Sequence, residues 1–270
     1  WLLQYYSGSV EQAYYAIAAQ FSAIALIFTA SIMRIFWKEI SEAQAKGDNE
    51  RVSRLYKKIS RLLFFVSAAI TGFLIPLSEV ILKNILGENY EGGALTLAIM
   101  FIYPVYQSMG QVGGTMLYAS EKSSIQSIIG IFFMIASMIA TYWVLAPSSA
   151  FIPGLGLASQ GLALKMVVMQ FIQVNITAYI ISRIWHWKFD WTYQPVGLLC
   201  CIGLGYVVNL LAVNFIGDTF SWLFIVLLSG IFYIFLIILV IYMMPWLIDM
   251  TRKEIYSNVD NGIKKLQLMF

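Results

Sequence analysis

The chain has 270 residues, of which 60% are hydrophobic and 11% are charged, and its formal net charge is +3. Soluble proteins have roughly 25% charged residues, so this composition excludes an ordinary soluble domain. The net charge is small and lies in a few segments, which indicates membrane topology and argues against binding to nucleic acid.

Uncharged stretches long enough to cross a bilayer recur along the chain. A bilayer core requires about 20 apolar residues of helix, so these stretches can be counted directly. We interpret residues 1–6 as the end of a truncated helix before a turn at 7–9. Because the chain begins without Met or a signal-peptide pattern, we expect it to be the C-terminal part of a longer protein. The sequence predicts an all-α polytopic membrane protein with seven full spans, at 13–33, 62–82, 92–120, 123–146, 158–182, 191–217 and 219–248.

The connection between the first two full spans, residues 34–61, is strongly basic, with eight Lys or Arg and four acids. Apolar residues recur at helical spacing from Val52 to Leu63, which predicts an amphipathic helix at the lipid headgroups before the chain turns into the membrane. Asp48 or Asn49 can cap this helix. Anionic membrane lipids are the expected partner, and a merely solvated loop is the alternative. The predicted membrane-surface cations are Arg51, Arg54, Lys57, Lys58 and Arg61.

Lys and Arg are unequally divided between the two sides of the predicted membrane. If residues 34–61 lie inside and the spans alternate, the inner segments contain fifteen of the 17 Lys and Arg. The outer segments contain only Lys83, and Lys165 falls within a span. Short connections rich in Lys and Arg remain in the cytoplasm during insertion. The sequence therefore predicts a plasma-membrane protein whose C-terminus is cytoplasmic.

Polar side chains at membrane depth are the candidate functional residues, because each is costly there. Lys165 lies seven residues into its span and could offer a cation to an anionic substrate in a central cavity. The alternative is a lysine that stretches outward to the interface. Gln107 and Gln111 share one helix face, and Gln173 lies near the face of Lys165. We predict that these four residues bind substrate, with interhelical hydrogen bonds as the alternative for the glutamines.

Two residue types in the span at 92–120 predict local helix geometry. Pro104 removes a backbone donor and predicts a kink. Gly110, Gly113 and Gly114 have no side chain, so we expect them to let a neighbouring helix approach closely.

The sequence contains no enzyme signature, and we predict neither catalytic residues nor a metal or cofactor. His186 is the one histidine, in a short loop without nearby partners for a metal site. Cys200 and Cys201 are adjacent on a predicted helix, where they point about 100° apart and form a poor disulfide pair. We interpret both cysteines as packing residues.

Three segments together resemble a known family. They are the basic connection, GENYEGGALTLAIMFIYPVYQSMGQVGG from Gly87, and GLGLASQGLALKMVVMQFIQVN from Gly154. Their order resembles the C-terminal lobe of bacterial polysaccharide transporters, the O-antigen or Wzx-type flippases of the multidrug/oligosaccharidyl-lipid/polysaccharide superfamily. Asp48 matches a recurrent aspartate of that family, and Gly87 and Tyr90 match its outer-loop pattern. The resemblance covers residues 1–182. It departs from the family at Met33–Phe36, where members often have a proline and this chain has none.

The resemblance implies a MATE-like fold of 14 helices in two lobes, which transports by alternating access. Residues 1–182 would form the C-terminal transport lobe, from the end of helix seven to helix twelve. Residues 183–270 would supply two additional transmembrane helices and a cytoplasmic tail. The implied substrate is undecaprenyl-diphosphate-linked oligosaccharide, flipped across the bacterial plasma (inner) membrane for surface polysaccharide or O-antigen synthesis. Polysaccharide polymerase or other assembly proteins would be further partners.

Two other functions are compatible with a polytopic membrane protein. A cation-coupled multidrug antiporter of the same superfamily would need an intramembrane acid, and this chain has none at mid-depth. A membrane-embedded glycosyl-transfer enzyme would need a large outer loop with charged catalytic residues, whereas the longest predicted outer loop has about a dozen uncharged residues. The sequence therefore favours a flippase over an antiporter or a glycosyl-transfer enzyme.

Overall fold

The structure, a computed structural model, describes residues 1–24, 26–216, 221–252 and 254. Within these ranges the chain is helical and has no strand, as the sequence predicts. Five helical segments there are long and apolar enough to cross a bilayer, so the chain is an all-α, membrane-embedded protein. Asp218, between the predicted spans at 191–217 and 219–248, lies outside the described residues. The same holds for Lys253, Lys264 and Lys265, three of the fifteen cations assigned to the inner side.

Ten α-helices follow one another in the described part of the chain. The predicted boundaries near residues 146 and 158 agree closely with the observed ends of α7 and α8. The helices are α1 Leu2–Ile24, α2 Ile27–Ala45, α3 Asn49–Leu74, α4 Ser78–Leu86, α5 Ala94–Met100, α6 Tyr103–Ala119, α7 Ser123–Leu145, α8 Ala158–Ile184, α9 Tyr193–Ile216 and α10 Trp222–Met243.

Two of the predicted spans are interrupted. The segment predicted at 13–33 is divided between α1 and α2, and the segment at 92–120 is divided between α5 and α6. Pro104 lies in the first turn of α6, where its missing N–H does not break a helical hydrogen bond. The predicted turn at 7–9 is a kink inside α1, where Gly8 has a φ of 87° that favours glycine. These interruptions explain why five candidate spans are found among the described residues in place of seven.

Helix α3 joins the basic connection directly to the membrane. The Asp48 side chain accepts a hydrogen bond from the Arg51 backbone N–H at 2.9 Å, which confirms the predicted cap. The helix then continues from its charged half to Leu74, and a 3-10 turn at Ile75–Leu77 leads into α4. The predicted turn between a surface helix and a span is therefore wrong, since both form one helix.

The apolar stripe of α3 contacts protein and not lipid headgroups. Val52, Tyr56 and Leu63 are all less than 8% exposed. They pack in one cluster with residues of α2, α6 and α8, which converge at this end of the molecule. The interpretation of this stripe as a lipid-facing surface is therefore wrong. The cluster also contains Phe36, Ile40, Ala43, Val112, Met116, Leu117 and Ile181.

The second half of α3 lies at the centre of the helix packing, between α6 and α9. Its contact with α9 depends on two glycines: a Cβ added to Gly205 would lie 1.9 Å from the Gly72 carbonyl oxygen. Small residues allow helices to pack this closely in membranes. Cys201 is fully buried in the same core, which confirms its predicted packing role. The last two helices thus share a core with the preceding ones.

Polar contacts show which helix ends lie together at each of the two ends of the molecule. At one end, the Tyr14 hydroxyl donates to the Asn89 carbonyl at 3.3 Å, and the Glu11 carboxylate accepts from the Ser159 backbone N–H at 3.1 Å. At the other end, Arg61 of α3 contacts Asp190 and Asp249. The loop at 185–192 and the segment after α10 therefore lie beside the basic connection, as the predicted alternation of spans requires.

Candidate functional site

A pocket of about 550 Å³ lies between α6 and α8. Gln107 and Gln111 project into it from α6, Gln170 and Gln173 from α8, and Gln126 from α7. We call this cavity the glutamine pocket. The structure thus brings together three of the four residues predicted to bind substrate, and none of the lining side chains is charged. The remaining lining residues are Met33, Gly110, Gly114, Thr115, Tyr118, Val174 and Thr177.

Gly110 creates the space for this pocket. A Cβ at Gly110 would lie 2.8 Å from Gln170 Nε2 and 3.2 Å from Val174 Cγ2. Both distances are shorter than van der Waals contact, so the absence of a side chain lets α6 and α8 approach. The expectation that glycine allows a close neighbour in this span is confirmed. The Gln170 amide of α8 therefore packs against α6 at Gly110.

The glutamine amides retain hydrogen-bonding capacity. The Tyr103 hydroxyl donates to Gln107 Oε1 at 3.2 Å. Gln126 Oε1 is buried and has no hydrogen-bond partner among the described residues. Each amide offers one acceptor oxygen and two donors, and a buried unpaired acceptor normally indicates a water or ligand group. The pocket therefore suits an uncharged polar ligand with many hydroxyls.

The pocket extends from one membrane end towards mid-depth. Gln107 lies twelve residues before Ala119, where α6 ends, and this corresponds to ~18 Å along the helix. Tyr118 and Gln126 line the pocket near the turn that connects α6 to α7. A ligand could therefore enter from the end that contains the basic connection.

Lys165 does not line the glutamine pocket. Its side chain is 8% exposed and donates to the Ser137 hydroxyl of α7, with Met166 Sδ at 3.8 Å. Side chains on a helix lean towards its N-terminus, so Lys165 projects away from Gln170 and Gln173. The Lys165 ammonium therefore lies against α7 and outside the glutamine pocket, and its binding to substrate stays a prediction. Lys165 links α7 to α8.

Two pocket residues were not predicted as a site. Gln170 lies one turn before Gln173, and this spacing of two amides on one helix face could have indicated it. Gln126 lies in the first turn of α7, beside a connection where polar residues are ordinary. Its position in the pocket follows only from how α7 packs beside α6 and α8.

The five predicted surface cations have different surroundings. Arg51 forms an ion pair with Glu39 at 2.5 Å, and Lys58 lies 3.8 Å from Glu254. The Lys57 ammonium lies 5.6 Å from the centre of the Trp187 ring, and Arg54 is exposed. Their contact with lipid headgroups stays a prediction, since the apolar stripe between them is covered by protein.

Arg61, the fifth cation, joins α3 to three other parts of the chain. Its guanidinium lies 2.8 Å from the Asp190 carboxylate and 3.7 Å from that of Asp249, and it donates to the Trp246 carbonyl at 2.8 Å. It also lies over the Tyr193 ring, 4.8 Å from the centroid. Arg61 therefore anchors the ends of α9 and α10.

The Asp190 carboxyl is shifted towards its ionised form by these contacts. Partial burial would raise its pKa, but hydrogen bonds from Thr192 and the charge of Arg61 outweigh this, and the pKa lies below its ordinary value. Asp190 is thus held ionised beside Arg61.

No group of three or more His, Cys, Asp or Glu side chains that could bind a metal occurs in the described part of the chain. Comparisons of the chain with protein families, with curated proteins and with solved structures found no match. The fold and the site together define a membrane-embedded, all-helical protein with an uncharged polar pocket between two of its central helices.

Proposed function

We propose that this chain is part of a transporter that flips undecaprenyl-diphosphate-linked oligosaccharide across the bacterial plasma membrane, for the synthesis of surface polysaccharide or O-antigen. One observation carries the proposal: five glutamines from three helices line a single uncharged pocket that extends from one membrane end towards mid-depth. The sequence resemblance to the C-terminal lobe of polysaccharide flippases supports the same function. We assign no catalytic role to the chain.

The chemistry of the pocket suits the sugar portion of such a substrate. Sugar hydroxyls both donate and accept hydrogen bonds, and glutamine amides can do the same. Uncharged groups bind a sugar without a strong ionic contact, so the substrate can be released on the other side. The pocket has no cation for the diphosphate, and Lys165 is therefore not part of the proposed sugar site.

The antiporter alternative is less well supported. An antiporter for cationic drugs needs a carboxylate in its cavity that binds H⁺ or Na⁺. The glutamine pocket has no carboxylate, and the sequences of α6, α7 and α8 contain no Asp or Glu. An uncharged substrate portion fits this pocket better than a cation does.

Interrupted helices provide places at which the lobe could bend. The breaks between α1 and α2 and between α5 and α6 both fall within predicted spans. Discontinuous membrane helices are common near transport sites, because they can change angle without unfolding. We propose that the α5–α6 break at residues 101–102, about one helical turn before Gln107, changes the opening of the glutamine pocket during alternating access.

We also propose that the end with the basic connection faces the cytoplasm. The excess of Lys and Arg in residues 34–61 supports this orientation. Asp249, which follows α10, contacts Arg61 of that connection, so the chain leaves its last span on the same side. The glutamine pocket would then be open to the leaflet where lipid-linked oligosaccharides are assembled.

Replacing the glutamines tests this function. Gln111→Leu and Gln173→Leu remove polar groups from the pocket at similar volume, whereas Gln160→Leu removes an exposed glutamine at the start of α8. Each pocket substitution is expected to lower transport about fivefold, the effect of one lost hydrogen bond. The measurement is restoration of surface polysaccharide in a flippase-deletion strain, with the protein quantified in the same membranes.

The matched control decides the outcome. We expect Gln160→Leu to restore polysaccharide as well as the unchanged protein does. If both pocket variants also restored it fully, the pocket would not bind the substrate. A change in drug resistance with unchanged polysaccharide would instead support the antiporter.

A further inference from the structure

A second pocket, of about 270 Å³, lies at the basic end of the molecule. It is formed by α3, the start of α9 and the loop between α8 and α9. Three cations line it, Lys57, Arg61 and Lys188, together with the polar side chains of Ser60 and Gln194. We call it the basic pocket. The glutamine pocket does not share any of these residues.

Two of the three cations are free to bind an anion. Arg61 is already paired with Asp190 and Asp249, which also line the basic pocket. Lys57 and Lys188 form no ion pair with any described residue, and the contact of Lys57 is with the face of the Trp187 ring. Arg61 and its two carboxylates together carry a charge of −1, so with the unpaired ammonium groups of Lys57 and Lys188 the lining of the basic pocket has a net charge of +1.

The basic pocket lies beside the ends of two candidate membrane spans, where we expect lipid headgroups. Helix α8 ends at Ile184 and α9 begins at Tyr193, and both are candidate membrane spans. The connection between them contains Trp185, Trp187 and Trp191, and tryptophan is enriched where the membrane meets water. An anion that is held in the plane of the bilayer surface would meet Lys57 and Lys188 directly.

The size of the pocket restricts what can enter it. Ordinary small-molecule sites have volumes of ~300–1,000 Å³, so the basic pocket is suited to a phosphate and a few attached atoms. A complete oligosaccharide would not fit. Tyr56, Ala178 and Phe189 supply an apolar wall beside the charged groups, against which the first carbons of a lipid could pack.

We infer that the basic pocket binds the phosphate of an anionic membrane phospholipid, with Lys57 and Lys188 as its ligands. Basic pockets between membrane helices on the cytoplasmic side are known to select anionic headgroups. The site differs from a basic helix on the membrane surface because it takes one lipid at a defined position. It requires only that the chain is embedded in a membrane, and it is independent of the transported substrate.

Native mass spectrometry of the purified chain tests this inference. The protein is released from detergent after addition of phosphatidylglycerol or of phosphatidylcholine, and the retained lipid is counted. We expect one phosphatidylglycerol to be retained in preference to phosphatidylcholine. In Lys57→Gln/Lys188→Gln the apparent affinity for phosphatidylglycerol is expected to fall about tenfold or more, since each cation near the surface contributes to attraction.

The double variant Lys38→Gln/Lys122→Gln is the matched control. It removes two positive charges, as the test variant does, from the basic end of the molecule, at residues that do not line the basic pocket. We expect it to retain phosphatidylglycerol like the unchanged chain, and Lys57→Arg/Lys188→Arg to do so as well. Thermal unfolding without added lipid verifies that all the variants are folded.

The bound anion could be the headgroup of a phospholipid or free phosphate, and competition with inorganic phosphate distinguishes the two. If millimolar phosphate does not displace the lipid, the site recognises a headgroup together with its lipid portion, as we infer. Displacement by phosphate at that concentration would show that the site is one for free phosphate. Equal retention of phosphatidylglycerol by Lys57→Gln/Lys188→Gln and by the control would overturn the inference.

Discussion

The glutamine pocket and the basic end of α3 show two different ways of placing polar groups in an apolar helical protein. The glutamine pocket extends to mid-depth and contains only uncharged polar side chains. The basic end is rich in charge, and four of the eight Lys and Arg of residues 34–61 form ion pairs. Burying an ion away from water costs several kcal/mol, whereas an amide can be satisfied by a few hydrogen bonds. Arg61, which attaches helices, thus lies at the basic end, whereas the glutamine pocket is lined by uncharged polar side chains.

The first way to test this contrast is to remove the ionic attachment. Arg61→Ala leaves Asp190 and Asp249 without their cation and the Trp246 carbonyl without its donor. Because the Arg61 side chain is only 15% exposed, we expect a large loss of stability. The two acids are partly exposed, so the loss is expected to be about 2 kcal/mol, below the ~3–5 kcal/mol of a fully buried pair.

Unfolding of the purified protein in detergent measures this effect. Arg54→Ala on the same helix is the control, because Arg54 is exposed, and its effect is expected to stay within about 0.5 kcal/mol. Equal stability of the Arg61→Ala and Arg54→Ala proteins would show that the Arg61 contacts do not attach the last two helices.

A smaller effect is expected from filling the space that shapes the glutamine pocket. Gly110→Ala places a Cβ within 2.8 Å of Gln170 Nε2, so the flexible amide must move away. We expect transport to fall about fivefold, the cost of one lost hydrogen bond, with little loss of folded protein. Restoration of surface polysaccharide per molecule of protein is the measurement.

Gly130→Ala is the matched control on α7. Nothing lies within 4 Å of a Cβ at this position, so transport is expected to be unchanged. Stability is expected to rise by up to ~1 kcal/mol, because alanine is favoured over glycine inside a helix. If both alanine variants transported equally well, the close approach at Gly110 would have no part in substrate binding.

The smallest effect is expected at Lys165, although it was the leading substrate-binding candidate in the sequence. Lys165→Gln keeps a side chain that can donate to Ser137, so transport per molecule is expected to stay within roughly twofold. Ser137→Ala removes the same contact from the other helix and serves as the paired variant. A large loss in Lys165→Gln alone would place the ammonium on the substrate path.

The spans could be predicted from the sequence because bilayer thickness sets a minimum length for an uncharged helix. Pro104 also indicated a break that the structure places just before it, between α5 and α6. The break between α1 and α2 carries no Gly or Pro at 24–27, and it could not be seen in the hydropathy. Such a break depends on how neighbouring helices pack.

The apolar stripe from Val52 to Leu63 shows a limit of periodicity. A helical pattern identifies which residues are apolar on one face, but lipid and protein are both apolar surroundings. Only the arrangement of α2, α6 and α8 shows that this face is covered by protein. Similarly, the rarity of polar residues in spans indicated Gln107, Gln111 and Gln173, whereas the position of Lys165 depended on its partner Ser137 in α7.

The central claim is that the glutamine pocket binds the transported oligosaccharide. Gln111→Cys, Gln173→Cys and Gln160→Cys can be prepared separately in a chain with Cys200→Ala and Cys201→Ala. Each is reconstituted in lipid vesicles, and the rate of labelling by a thiol reagent is measured with and without lipid-linked oligosaccharide. We predict that the oligosaccharide slows labelling at positions 111 and 173 and leaves labelling at the exposed position 160 unchanged. Labelling rates at 111 and 173 that do not respond to the oligosaccharide would contradict the claim.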